Sequence, residues 1–272
     1  MAAPPRMPSN YLTKSDFKAA FDCRTKLYYR KHGYPSALQE DEYMQFLADG
    51  GFMVEHVAKA TYPQGVDLAG LRDPEKAFAR TQELIAVGDC TLFEAAAMAG
   101  KFYVRMDILR RSGRVLELIE VKSSSVGEDN PDATTPFVNK DGSVSLRWRP
   151  YLQDLAFQAY VLELAFPKLE VRPYLCVVDR TARVSQAETL GYFTLTRDAA
   201  NPRARPTITY SGGTDALRGS ALMRMIPASA EVAQLLPEVV ETARTAGRIG
   251  GRCGGTSVSG GHRRGVQGMP RM

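Results

Sequence analysis

The amino-acid sequence predicts a mixed α/β fold in the order helix, three-stranded meander, helix, strand, with further helices flanking. Three observations carry this. Apolar residues before Thr91 recur at helical spacing. From Thr91 to Lys122 the pattern shifts to strand-like runs separated by turns, and Pro150 then opens a new helical stretch ahead of the apolar run Arg172–Val178.

Taken in order, residues 1–10 read as a flexible, proline-containing arm. Thr13-Lys14-Ser15-Asp16 has the form of a capping box, in which two side chains satisfy the free amides of a helix start. Phe17, Ala20, Phe21 and Leu27 continue that helix to Tyr29. Residues 41–60 form a second helical region, where Gly50-Gly51 offers a break. Asp73-Pro74 is a cap and first-turn pair for a helix ending at Gly88. The strands Thr91–Ala97, Phe102–Arg110 and Val115–Lys122 follow, turned at Ala99-Gly100 and Ser112-Gly113, as an antiparallel meander. A polar segment with a hairpin turn at Asp141-Gly142 leads to a helix from Pro150 through Ala165 and the strand Arg172–Val178. Residues 186–226 add strand-like stretches and 228–245 a helix.

Nine of the 26 residues from Gly247 to Met272 are glycine, and apolar periodicity ends there. Disorder is expected, because this composition buries too little surface to offset chain entropy. The organisation is therefore an arm (1–10), a core (11–185), an accessory β/α extension (186–246) and a Gly/Arg-rich tail (247–272).

The chain has 35 Lys and Arg against 30 Asp and Glu, a net charge of +5, which by itself suggests a nucleic-acid binder. Six of the basic residues, all arginine, lie from Arg244 onward, where there is no acid. Residues 1–243 thus hold 29 basic against 30 acidic groups, and the basic signal belongs to the tail. The composition, 44% hydrophobic and 24% charged, excludes wholesale disorder. The longest apolar runs fall far short of the roughly 20 residues of a membrane span. The first residues lack the apolar region of a secretory signal, and the four cysteines form no CxxC pair. A reduced, cytoplasmic protein with no membrane partner is expected.

The chemistry concentrates in Val104–Leu109 and Leu118–Lys122. Strand alternation puts Glu120 and Lys122 on one face, and a hairpin can bring Asp107 beside them. Two hard carboxylates near a lysine suit a magnesium-dependent phosphodiesterase: the carboxylates hold the metal, and the lysine orients water or stabilises charge on the phosphorane. Two clusters, Lys26–His32 and Arg147-Trp148-Arg149, interleave cations with aromatics, a pattern suited to phosphates and unpaired bases.

In order and spacing, Asp107, then Glu120-Val121-Lys122, then a helix with Asp154 and Gln158 resembles the PD-(D/E)XK nuclease superfamily in its RecB-like exonuclease branch, which includes the CRISPR-associated exonucleases. Within that branch it is similar to a bacterial group with a leading S-x-x-x-F…C helix, here Ser15 to Cys23. That group continues with a G-x-x-V helix, here Gly51 to Val54, and a T-L-F-E-A strand, here Thr91 to Ala95. The resemblance spans roughly residues 11–180 and lies in motif order. It implies a restriction-endonuclease-like core and a DNA nuclease acting on single strands or ends through Mg²⁺ or Mn²⁺. The implied catalytic residues are Asp107, Glu120, Lys122 and Gln158. The implied metal set is Asp107, Glu120 and Val121, with a third ligand open among Glu94, His56 and Glu55. Tyr151, Asp154, Tyr160, Arg147 and Arg149 are the implied nucleic-acid contacts.

Some relatives in that branch hold an iron–sulfur cluster on one N-terminal and three C-terminal cysteines. Cys23 stands where the first would be, but only Cys253 occurs near the other end, so no cluster is expected and Cys23 is expected to pack on its helix. The abrupt change at Gly247 is what a truncated or frame-shifted end would produce. With a near-neutral body, it implies a protein partner or a missing C-terminal domain. The rival to the nuclease is a catalytically silent nucleic-acid-binding or protein-interaction module with the same fold.

Overall fold

The computed structural model describes residues 11–34, 42–127, 135–183, 189–200, 205–212, 217 and 221–249; the expected arm 1–10 and the tail from residue 250 on, with Cys253, lie outside them. A two-residue strand, β1 (Leu12–Thr13), runs directly into α1 (Lys14–Asp22). The capping box forms: Thr13 Oγ1 accepts from the Asp16 amide at 3.3 Å, and Asp16 Oδ2 accepts from the Thr13 amide at 3.1 Å. The single helix expected to Tyr29 is in fact two, because extended backbone at Cys23 separates α1 from α2 (Arg24–Lys31). Cys23 is exposed at that junction, not packed on a helix as expected.

Helix α3 (Glu42–Ala60) runs unbroken through Gly50-Gly51. Glycine in a helix interior costs about 1 kcal/mol, and the docking of Ala58 against Phe93, Ile108 and Ile119 opposes that cost. After β2 (Val66–Asp67), α4 (Pro74–Val87) starts on Asp73, whose carboxylate accepts from the Lys76 amide at 2.9 Å.

The meander is β3 (Cys90–Ala99), β4 (Phe102–Ser112) and β5 (Val115–Val126), turned at Gly100 and Gly113, both at positive φ. The hairpin expected at Asp141-Gly142 reduces to one isolated bridge, Val138 to Val144. Then α5 (Arg149–Ala165), buried at every residue from Leu152 to Ala159, carries the chain across to β6 (Glu170–Asp179), which lies parallel to β5. β7 (Phe193–Thr196) and β8 (Thr207–Tyr210) form a separate antiparallel pair. β9 (Met223–Pro227) completes the sheet antiparallel to β6, and α6 (Ser229–Ile249) runs past Gly247, further than the expected 228–245.

The sheet order is β2-β3-β4-β5-β6-β9, with β1 parallel to β4. Its larger core joins β3–β6 to α1, α5 and α6. Phe17 stacks on Phe157 at 4.4 Å and 5°, which seats α1 on α5. The other face holds Phe93, Ile108, Ile119 and Val121 against Ala58 of α3. A mixed sheet with helices on both faces is the architecture the sequence predicts, and it is compatible with a restriction-endonuclease-like core. Among the described residues, no helix is long and apolar enough to cross a membrane.

Candidate active site

The site lies where two strands part. β4 and β5 pair from Ser112↔Val115 to Ile108↔Ile119, and the ladder stops there. Asp107 and Glu120 are the next residues on each strand. Past that fork β4 takes β1 as partner at Phe102 and Tyr103, while β5 stays with β6. The Val121 amide donates instead to Asp107 Oδ2 at 2.8 Å, which meets the requirement that a buried amide be paired. Just beyond, the β5–β6 register jumps from Lys122↔Val177 to Ser125↔Val178. This bulge re-aims the strand next to Lys122. It puts Ser124 Oγ 2.9 Å from the Tyr151 hydroxyl and Lys122 Nζ over the Tyr151 ring.

On the α1/α5 side of the fork, lysines surround two buried carboxylates. Glu120 is fully buried; it accepts from Lys14 Nζ at 2.9 and 3.2 Å, from Lys122 Nζ, and from Gln158 Nε2 at 2.8 Å. Asp154, 1% exposed, lies 3.6 Å from Lys122 and 3.8 Å from Lys18, and neither of its carboxylate oxygens accepts a hydrogen bond. Lys14 reaches Glu120 because β1 and the capping box place it at the first turn of α1, above the fork.

On the α3 side three carboxylates converge. One oxygen each from Glu55 of α3, Glu94 of β3 and Asp107 of β4 lie within 4.8 Å of one another. Glu94 sits at φ 52°, a left-handed conformation rarely taken by residues other than glycine. The β3–β4 ladder skips it: Phe93↔Ile108 and Ala95↔Met106 are paired, Glu94 and Asp107 are not. The cost of such a residue is about 1–3 kcal/mol, and such strain collects at functional sites. Cations neutralise the cluster. Arg205 donates to Glu55 and to Glu94, Lys59 lies 2.6 Å from Glu55, and Arg105 lies 3.5 Å from Glu94.

Burial, and then the charge of Glu120, push the Asp107 carboxyl up to about 7 despite the nearby lysines. Burial also works against the Glu120 carboxylate, yet Lys14 and Lys122 hold it well below the ordinary carboxylate range. Burial raises Asp154. Desolvation opposes the Lys14 ammonium, but Glu120, Asp107 and Asp154 raise it well above its ordinary value. The fork thus sets apart one carboxyl that protonates readily and one that stays charged, a separation characteristic of acid–base sites.

Of the residues singled out in the sequence, Asp107, Glu120, Val121, Lys122, Asp154, Gln158 and Tyr151 meet at the fork, and Glu94 joins Asp107 on the far side. His56 is not in the carboxylate cluster. It packs edge-on to Phe193 at 5.9 Å, and burial lowers its pKa; its neighbour Glu55 takes the place in the cluster. Arg149 is spent on Glu238 of α6 at 2.8 and 2.7 Å, and Tyr160 packs on Phe102 at 5.8 Å, so both hold the core together. Arg147 is exposed, stacked on Trp148 and bonded to the Ser125 carbonyl at 2.9 Å. Lys14, Lys18 and Arg205 belong to the site without having stood out in the sequence. Lys59 is a further such residue, and its one local signal is the i,i+4 spacing from Glu55, which places the pair on one helix face.

No protein-family model matches the chain, and no curated protein matches it. Among solved structures, the chain is similar to a crystal structure from Eubacterium rectale described as "Putative exonuclease". Identity is 12% over 90% of this chain and 88% of that one, with a TM-score of 0.35.

Proposed function

We propose that the protein is a divalent-metal-dependent deoxyribonuclease that hydrolyses phosphodiester bonds, acting on single strands or ends. The observation that carries this reading is the fork itself: three carboxylates from three elements, Glu55, Glu94 and Asp107, converge there, and Lys122 stands on the adjoining strand. Hard oxygen donors in such number suit Mg²⁺ or Mn²⁺, so the residues present fit the ion that the motif order implies. Asp107, Glu94 and Glu55 would hold it; Glu120, expected as a ligand, is instead bonded to Lys14, Lys122 and Gln158 on the other side of the fork. The ion would supply Lewis acidity to the phosphate and make water a better nucleophile.

The protein's own groups do the rest. Lys122 orients the attacking water or meets the charge that builds on the phosphoryl oxygens. Gln158 and Lys14 fix the Glu120 carboxylate, and the Tyr151 ring lies 5.8 Å from the Lys122 ammonium. Water attacks phosphorus in line and gives up a proton to solvent, the opposite P–O bond breaks, and the leaving oxygen takes a proton from solvent; no covalent enzyme intermediate forms. The test is cleavage of end-labelled single- and double-stranded DNA with Mn²⁺ and with EDTA. Cleavage must depend on Mn²⁺ and vanish in Asp107→Ala and Lys122→Ala variants that unfold like the wild type. Equal activity in the variants would refute the assignment.

A second reading, a silent nucleic-acid-binding or interaction module, is favoured by one observation. Both oxygens of Glu120 already have partners, and Arg205, Lys59 and Arg105 together neutralise Glu55 and Glu94, so these carboxylates are compensated without a metal. DNA binding without cleavage under any divalent ion would select it.

A further inference from the structure

Arg205 comes from outside the core elements, two residues ahead of β8, yet its guanidinium enters the carboxylate cluster. One of its terminal nitrogens donates to Glu94 Oε1 and the other to Glu55 Oε1, while the guanidinium carbon lies 5.1 Å from the centroid of the Phe52 ring. Building on the metal-site reading above, we infer that Arg205 and a divalent cation are alternative occupants of this cluster. The guanidinium is the counter-ion of the metal-free site and leaves when a metal binds.

Two physical facts oppose sharing. The guanidinium N–H groups occupy Oε1 of Glu55 and Oε1 of Glu94, oxygens through which the two would ligate an ion. A dication among the same oxygens would also repel the guanidinium at close range. Of the three cations paired with Glu55 and Glu94 among the described residues, Arg205 is the most exposed. Its side chain is 41% exposed, against 22% for Arg105 and 15% for Lys59. Arg105 is further fastened by bonds to the carbonyls of Leu71, Leu68 and Glu94 at 2.6, 2.7 and 2.8 Å. Lys59 is carried by the same helix as Glu55, whereas Arg205 precedes β8, outside the main sheet.

The experiment is calorimetric titration of the EDTA-stripped full chain with Mn²⁺, in the wild type and in Arg205→Ala, Arg205→Lys and Asp107→Asn, each checked for folding by thermal unfolding in EDTA. Arg205→Ala should bind Mn²⁺ about tenfold more tightly than the wild type, the factor expected if the guanidinium holds the site nine-tenths of the time. Arg205→Lys, which keeps one charge but loses the two-pronged fit, should fall between them. If Mn²⁺ binding is lost in Asp107→Asn yet Arg205→Ala binds no tighter than the wild type, the exchange is refuted and the metal site stands. If Asp107→Asn binds Mn²⁺ as the wild type does, or if no form binds it, the metal site is refuted and the exchange with it.

Discussion

Lys14 Nζ lies 2.9 Å from Glu120 Oε1 and 3.2 Å from Oε2, across 106 residues of chain. The contact makes the first turn of α1 part of the site, because Glu120 is fully buried and a buried carboxylate is tolerated only where cations and donors surround it.

Removing that ammonium should therefore cost stability. Breaking a buried pair costs about 3–5 kcal/mol when nothing else compensates. Here Lys122 and Gln158 still hold Glu120, so Lys14→Met should lower unfolding stability by about 2 kcal/mol, and Lys14→Arg by less. Urea unfolding at neutral pH measures this. A loss under about 0.5 kcal/mol in Lys14→Met, the scale of an ordinary surface substitution, would mean the contact carries no weight.

The two carboxyls of the fork should give the metal-free protein opposite pH slopes. Asp107 is pushed up to about 7 from an ordinary 3.8, so the folded chain keeps a proton that the unfolded chain has released. Its contribution is fully present below the ordinary value and is lost as pH rises through about 7. Glu120 is depressed, so its contribution is present above the ordinary 4.5 and is lost as pH falls. In EDTA, stability should fall as the pH goes from about 5 to about 7, and Asp107→Asn should flatten that fall. An identical slope in both proteins, from urea midpoints across the range, would show that Asp107 titrates normally.

Gln158 donates its amide to Glu120 from a fully buried position. Gln158→Glu replaces that donor with a second carboxylate beside the first, and should cost about 3 kcal/mol at neutral pH. Gln158→Met removes one bond to a charged acceptor, worth about 1.5–3 kcal/mol, without adding charge. The Glu variant should recover stability as pH falls and the Met variant should not; thermal unfolding at neutral and acid pH separates them. Parallel behaviour of the two would mean that charge plays no part.

What the sequence disclosed follows from the range of the forces involved. The capping box at Thr13, the cap at Asp73 and the meander from Cys90 to Val126 rest on residues a few positions apart, so local pattern was enough to place them. The fork was half legible. Alternation placed Glu120 with Lys122, and the hairpin placed Asp107 near them, but where the β4–β5 ladder stops depends on β1 and β6, which pair from distant segments. Lys14 and Arg205 enter the site from 106 residues before Glu120 and 111 residues after Glu94, and no local pattern records such encounters. The exposure of Cys23 is not legible in the sequence, because a helix junction and a continuous helix share the same apolar spacing on either side of it.

Glu55 and His56 show the same limit at its smallest scale, and they supply a test. They are neighbours on α3, and successive helix residues point about 100° apart, so only one of them can face the strands at the fork. Glu55 reaches the cluster with Glu94 and Asp107, while His56 packs against Phe193 of β7. A Glu55→Gln substitution keeps the size of the side chain and removes its charge; it should weaken Mn²⁺ binding at least tenfold, about 1.4 kcal/mol or more. His56→Ala should leave Mn²⁺ affinity within about twofold and instead cost about 1 kcal/mol of stability through the lost ring contact. Calorimetric titration of both variants reads the first effect and urea unfolding the second. If His56→Ala lost the metal and Glu55→Gln kept it, the helix would have to be turned about its axis in the working protein, and the carboxylate cluster would not be the metal site.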